Sequence, residues 1–435
     1  MRRTLATVVS LGSLAALAAP VAAEPAVRLY TSSDPALAIE TVAYEGGKTV
    51  GYTIGIGSGA FRRADEPPMT FWTVSDRGPN FTCADVKAVM GLDGKALCGE
   101  TRNARIYPLP GYAPTIYRVE LKADGTFAVI DAIPLKDGGG KAISGMPNTL
   151  TVATTENPID GAGRPLSQSA SSVDAEGIVR MADGTFWIGE ENAPSLLRVA
   201  ADGRIMERLV PVGSEKDFAD AGYKVTGALP AIYTKRQANR GIESVAVSPD
   251  GRFLYTIMQN PLAHPDAKAY AQARNTRVLK LDSVTHTLLG EYVYQLDLPD
   301  TFRLDPSDKQ NAPRISEMTA LATDRLLVLE RTDGTTKLYE VALQGATDIL
   351  GGKWSDPVTS PSLELSNDLS GTGIVPLGKT LRFDSADFPQ VPVKLEGVAL
   401  LGDGSVAIVN DNDFGITGEV TKVVVLTGSG IKAGM

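Results

Sequence analysis

Acidic side chains recur at matching places in four similar segments of this sequence. Each segment begins with a Glu ahead of a short alternating apolar run, at Glu176, Glu243, Glu317 and Glu396. The spacings are 67 (176 to 243), 74 (243 to 317) and 79 (317 to 396) residues. Oxygen ligands without neighbouring thiols or imidazoles favour a hard cation such as Ca²⁺. If the fold brings the four carboxylates together, their repulsion requires a cation or a proton among them.

Five further residues complete the candidate site. Asp76 and Asp411 add oxygens for the cation, and together with the four repeated Glu they form the predicted metal ligands. Glu191 is the candidate general base. Arg77 and Arg331 follow predicted strands at the same end and are the candidates for orienting a phosphate or carboxylate group of a substrate.

Several other chemistries are excluded by the composition and the motifs. The chain has only two His, both isolated, and no Gly-x-Ser-x-Gly elbow, which argues against a serine triad. It has no P-loop and no dinucleotide fingerprint after a strand. Its net charge of −9 offers no cationic stripe for a nucleic acid. Carboxylate acid–base or metal-assisted chemistry remains.

Tight turns determine where the repeated Glu residues lie. Asp183-Gly184, Asp250-Gly251 and Asp403-Gly404 are hairpin signals, because Gly tolerates positive φ. Counting outward from these turns, and from Thr323-Asp324, predicts four cross-strand partners. The predicted pairs are Glu176 with Glu191, Glu243 with Met258, Glu317 with Glu330, and Glu396 with Asp411. All four Glu are therefore expected at the end of the hairpins opposite the turns.

Repeated units of this size, each with three or four strands, indicate an all-β fold, a β-propeller. Five units are clear, and the segment 138–172 is expected to contain part of another. We therefore predict six blades, with five or seven as the alternatives. The strand from Val27 to Tyr30 is expected to complete the last blade. The inner strands of a propeller line its channel, so the Glu residues should converge at one mouth.

The first residues resemble a secretory signal. Arg2 and Arg3 precede an apolar stretch, and small residues stand before Glu24. We predict a signal peptide over 1–23 and a single propeller domain over 24–435, with no membrane span, located in the periplasm or secreted. Cys83 and Cys98 are expected to form a disulfide, which fits export. We expect a monomer.

Several motifs together resemble the phytase-like domain family, also described as having esterase-like activity of phytase. They are Ser75-Asp-Arg-Gly78, Asp174-Ala-Glu-Gly177, Gly184-Thr-Phe-Trp-Ile-Gly-Glu-Glu191, Gly241-Ile-Glu-Ser-Val-Ala-Val-Ser-Pro-Asp-Gly251 and Leu395-Glu-Gly-Val-Ala399. The resemblance runs from Ser58 to Val425 and implies an exported, calcium-dependent propeller that hydrolyses phosphate esters. Propeller phytases gather several Lys and Arg at the substrate mouth, and this acidic chain has fewer, which argues against inositol hexakisphosphate.

The expected function is calcium-assisted hydrolysis of a phosphate ester or diester, with a small phosphorylated molecule as the partner. Two alternatives stay open on the same scaffold, a calcium-dependent lactonase and a non-catalytic binding or assembly propeller. A purely structural role for the repeated Glu is also open, through ion pairs with Arg240 or Arg314 of a neighbouring blade.

Overall fold

Alternating apolar runs joined by tight turns give the antiparallel hairpins that the sequence predicts. In the computed structural model, which describes residues 24–434, the turn Asp183-Gly184 joins strands Ala175–Arg180 and Phe186–Glu190. Gly184 has a φ of 84°, a conformation that side chains with a Cβ rarely adopt. The predicted signal peptide lies outside the described residues. No helix of the described part of the chain has the length and apolar character needed to cross a membrane.

Five sheets of four or five strands make up the blades. Blade 1 comprises Gly59–Phe61, Thr70–Val74, Thr115–Leu121 and Phe127–Pro134; blade 2 comprises Ala175–Arg180, Phe186–Glu190, Ser195–Val199, Ile205–Pro211 and Lys224–Leu229; blade 3 comprises Ile242–Val247, Phe253–Met258, Asn275–Asp282 and Leu288–Gln295; blade 4 comprises Arg314–Ala322, Arg325–Arg331, Thr336–Ala342 and Gly378–Asp384; blade 5 comprises Leu395–Leu400, Val406–Asn410, Val423–Thr427 and Ala26–Tyr30.

The first strands of the five blades form a closed ring. Each contacts the first strand of the next blade, and the first strand of blade 5 contacts that of blade 1. The propeller fold is confirmed. The preferred count of six blades differs from the five sheets of residues 24–434, and five was one of the alternatives. Strand Ala26–Tyr30 pairs with Val423–Thr427 as the outermost strand of blade 5, as predicted.

Insertions between strands cover the end of the ring opposite the tight turns. The largest lies between the second and third strands of blade 1. It holds the short helices Val86–Met90 and Gly94–Cys98 and the strands Phe81–Thr82 and Ala104–Ile106, and it pairs with Asn157–Ile159. The disulfide between Cys83 and Cys98 forms here as predicted. Two smaller elements are the hairpin Ala38–Ala43 with Thr49–Thr53 and the helix Ala267–Gln272.

The first strands approach closely because glycines stand where they meet. A Cβ on Gly177 would collide with the backbone of Ser244 and Val245, and one on Gly59 would collide with the carbonyl oxygen of Glu176. Only a residue without a side chain fits at such distances. The glycines therefore set how narrow the channel is.

Glu317 closes the channel beneath the mouth. Its carboxylate accepts hydrogen bonds from the backbone N–H groups of Ala60 and Met318, both at 2.9 Å, and from the Ser244 hydroxyl. Ala60 belongs to blade 1 and Glu317 to blade 4, which are not neighbours in the ring. This hydrogen bond therefore crosses the channel, and Glu317 is only 1% exposed.

The pH dependence of stability is expected to change when Glu317 is replaced by Gln. Burial raises the pKa of Glu317 to about 8, although its three donors oppose the shift. A carboxyl whose pKa rises on folding stabilises the fold at low pH, and that contribution is lost as pH rises through the folded pKa. Wild-type protein should therefore lose free energy of unfolding between about pH 5 and 9, and Glu317→Gln should lose less.

Urea unfolding at several pH values would measure this difference. The exposed variant Glu45→Gln is the control and should follow the wild-type profile. Parallel profiles for wild type and Glu317→Gln would contradict the prediction.

Candidate functional site

Each blade places two residues at the mouth of the channel. One stands near the start of the first strand, where four of the five blades carry a β-bulge, and the other directly follows or ends the second strand. The first set is Ser58, Glu176, Glu243, Ser316 and Glu396, and the second set is Asp76, Glu191, Gln259, Arg331 and Asp411. The five-fold arrangement of the strands thus gives ten positions around one opening.

The predicted hairpin register is wrong by one or two residues, and the bulges are the reason. Ala175, not Glu176, stands opposite the second strand, paired with Glu190, and Leu395 likewise pairs with Asn410. The ladder then skips Glu176 and Gly177 before it resumes at Ile178. A bulged residue is outside the regular pairing and can turn its side chain toward a site. The end of the blades at which the Glu residues lie is as predicted.

Glu317 is not at the mouth, in contrast to the expectation. Ile315 pairs with Glu330 and Glu317 with Leu329, so the bulged residue of blade 4 is Ser316. Glu317 stands one position deeper, where blades 2 and 5 have glycine, and it points across the channel. The predicted metal ligand is therefore a channel residue in this structure.

A cavity of about 450 Å³ opens at the mouth. Five of the six predicted ligands line it, namely Asp76, Glu176, Glu243, Glu396 and Asp411, together with Glu191 and Arg331. Arg77 lines a smaller adjoining cavity of about 90 Å³, which shares Asp76, Glu176 and Glu191 with the first. The fold thus brings most of the predicted site residues together.

Three carboxylates form the tightest acidic cluster. Asp76, Asp174 and Glu176 each place one oxygen within 4.8 Å of the others. Asp76 accepts a hydrogen bond from the backbone N–H of Gly78 at 2.8 Å. Among the described residues, Glu176 has neither a hydrogen-bond donor nor an ion-pair partner, although it is 8% exposed. Asp174 was missed from sequence, although it stands two residues before Glu176 in the Asp-Ala-Glu-Gly motif.

Burial and mutual repulsion hold protons on this cluster when no cation is near. Burial is the largest cause that raises the pKa values of Asp76, Asp174 and Glu176, and neighbouring carboxylates raise them further. The same two causes raise the pKa values of Glu243 and Asp411. The cluster has only oxygen donors, which suit Ca²⁺, and a divalent cation would offset the repulsion. The residues present therefore fit a hard cation.

Glu191 has the properties of a group that exchanges protons near neutral pH. Burial raises its pKa to about 7, opposed by the positive charge of Arg240. Arg240 donates to the Glu191 carboxylate at 3.2 Å. This ion pair fixes the carboxylate beside the cavity.

The two predicted arginines occupy different environments. Arg77 is 3% exposed and forms ion pairs with Glu156 at 2.6 Å and Asp174 at 3.3 Å. Arg331 forms an ion pair with Glu396 and donates from Nε to the Ser316 hydroxyl at 2.8 Å. Arg331 lines the main cavity, whereas Arg77 supports Asp174 from the side.

Four more cationic side chains line the cavity, each beside an acid. The pairs are Arg105 with Glu156, Arg240 with Glu191, Arg314 with Asp333, and Lys394 with Asp413. Arg240, Arg314 and Lys394 precede or begin the first strands of their blades. The mouth is therefore richer in basic groups than the acidic composition suggested.

The insertion of blade 1 positions one of these pairs. Strand Ala104–Ile106 carries Arg105 and pairs in parallel with Asn157–Ile159, directly after Glu156. Glu156 also accepts from Arg77. The disulfide-bonded insertion is thus connected through Glu156 to the acidic cluster.

One curated relative is an uncharacterized secreted protein of Arthroderma benhamiae. It is 26% identical over 250 residues, which are 51% of this chain and 49% of the relative. The chain therefore spans about half the length of this relative.

Two solved propeller-like structures have distant similarity to the chain. A luciferin-regenerating enzyme is 13% identical with a TM-score of 0.34, over 91% of this chain and 98% of that one. The calcium-binding protein regucalcin of Agrobacterium tumefaciens is 11% identical with a TM-score of 0.34, over 88% of this chain and 96% of that one. These scores are low, and neither similarity bears on function.

A family model gives the clearest result. The model of the phytase-like family, described as "Esterase-like activity of phytase", matches residues 57–414. The match covers most of the chain and includes the mouth residues from Ser58 to Asp411. The chain therefore belongs to the phytase-like family.

Proposed function

We propose that the chain is a calcium-assisted hydrolase of small phosphate esters or diesters that acts at the channel mouth, outside the cytoplasm. The observation that carries the proposal is the cluster of Asp76, Asp174 and Glu176, whose oxygens lie within 4.8 Å of one another beside a charged cavity. The disulfide and the secreted relative support the location.

The cation would be held by Asp76, Asp174 and Glu176, with Glu243, Glu396 and Asp411 around the same mouth. When bound, it would act as a Lewis acid that neutralises charge on the phosphoryl oxygens. Arg77 holds Asp174 in place through its ion pair and is a positioning residue.

Glu191 and Arg331 have separate tasks in the proposed reaction. Glu191 takes a proton from the attacking water, since its pKa of about 7 leaves much of it ionised at neutral pH. Arg331, oriented by Glu396 and Ser316, binds the phosphoryl group. The water oxygen bonds to phosphorus, the phosphorus–oxygen ester bond breaks, and the alcohol leaves with a proton.

Calcium binding is expected to depend on Glu176 and not on Glu317. Glu176→Gln removes a carboxylate from the cluster, and we expect calcium affinity to fall at least about tenfold, since ligand charge sets the affinity of calcium sites. Glu317→Gln makes the same chemical change one position deeper and should leave affinity unchanged. Titration calorimetry on chelator-treated protein measures both. Equal affinities for wild type and Glu176→Gln would exclude the proposed cation site.

Phosphate release is expected to require both calcium and Glu191. With a panel of phosphomonoesters and diesters, turnover should stop on addition of chelator and return with calcium. Glu191→Gln should lower kcat by about 10²-fold or more, because a positioned general base contributes that much, while calcium affinity stays the same.

The alternatives predict other results in the same assay. Ring opening of sugar lactones without phosphate release would identify a lactonase. Calcium binding with no turnover of any ester or lactone would indicate a binding protein.

A further inference from the structure

A second cavity lies at the opposite end of the channel. It has a volume of about 430 Å³ and is formed where the first strands of all five blades end near their tight turns. Glu317 and the glycines of the inner strands lie between it and the mouth. The two cavities are therefore separate sites, and a ligand of the second cavity would bind whether or not the mouth hydrolyses phosphate esters.

The lining of this second cavity is mainly apolar, unlike that of the mouth. Phe61, Met181, Val247, Ala320 and Leu400 come from the five different blades. Ala433 and Gly434 form part of the wall, where the backbone N–H of Gly434 donates to the carbonyl of Leu321 at 2.7 Å. An apolar concavity of several hundred Å³ with a few polar groups at its edge is typical of small-molecule sites.

Arg62 places a positive charge at the edge of this cavity. Its guanidinium donates to the backbone carbonyls of Pro67 at 2.9 Å and Ala64 at 3.3 Å, which fix its position. Among the described residues Arg62 forms no ion pair, whereas the neighbouring Arg63 and Arg180 are paired with Asp65 and Glu66. Carbonyl oxygens satisfy N–H groups without cancelling the charge, so Arg62 can still attract an anion.

We propose that this cavity binds a small apolar molecule that carries one carboxylate, with the apolar part among Phe61, Met181, Val247 and Leu400 and the carboxylate beside Arg62. The apolar lining accounts for the hydrocarbon portion through burial of apolar surface. The one excess positive charge, from Arg62, Arg63 and Arg180 against Asp65 and Asp250, accounts for the anionic end.

Binding of decanoate to the full-length protein tests the proposal. Titration calorimetry below the micelle-forming concentration should show saturable binding of one decanoate per chain. Decanol, which has the same chain length without the charge, should bind at least about tenfold more weakly, because it lacks the charge-assisted contact.

Three variants locate the site. Arg62→Gln should weaken decanoate binding about tenfold and leave decanol binding unchanged. The exposed Arg164→Gln is the matched control and should bind both as wild type does. Ala320→Leu reduces the cavity and should weaken both ligands, which keeps the proposal testable if Arg62→Gln disturbs its turn. Circular dichroism checks the fold of each variant.

Three outcomes overturn the proposal. One is the absence of saturable decanoate binding to wild-type protein. Another is equal binding of decanoate and decanol that Arg62→Gln does not change, since the carboxylate would then have no partner. The third is loss of decanoate binding in Glu176→Gln, because the ligand would then lie at the mouth.

Discussion

The close approach of five inner strands is the constraint on which this molecule depends. Glycine at 59, 177 and 397 lets the strands meet with little space between them. The residues that directly precede these glycines must then converge on a narrow opening, whatever their charge. Where they are Glu, the fold stabilises like charges at short range, which raises their pKa values. Packing in the ring thus creates the electrostatics of the mouth.

The hairpins, the location of the repeated Glu and the propeller itself follow from composition and turn chemistry. The register does not, because a bulge adds a residue to one strand without any signature in residue type. Glu317 illustrates this. Aligning Ile315 with Ile242 places Ser316 at the mouth, whereas aligning the Glu residues, as the sequence invites, displaces the unit by one.

Other site residues were out of reach for a different reason. Asp174 lies just ahead of its strand, and its part in the cluster depends on Asp76, which belongs to another blade and stands far earlier in the chain. Arg105 reaches the cavity only because its insertion pairs with the segment after Glu156. Such contacts between distant segments arise from tertiary packing, which no local pattern reports. The blade count was missed likewise, because long insertions look like an extra unit.

The outermost strand of blade 5 comes from the beginning of the described chain. Ala26–Tyr30 pairs with Val423–Thr427, so the first and last strands to leave the ribosome are partners. Closing a loop of this length is entropically costly and slow, and it must follow the formation of the other blades. Blade 5 supplies Glu396 and Asp411. A nascent chain consequently has no complete acidic mouth, and the site comes into being only when synthesis has ended and the ring has closed.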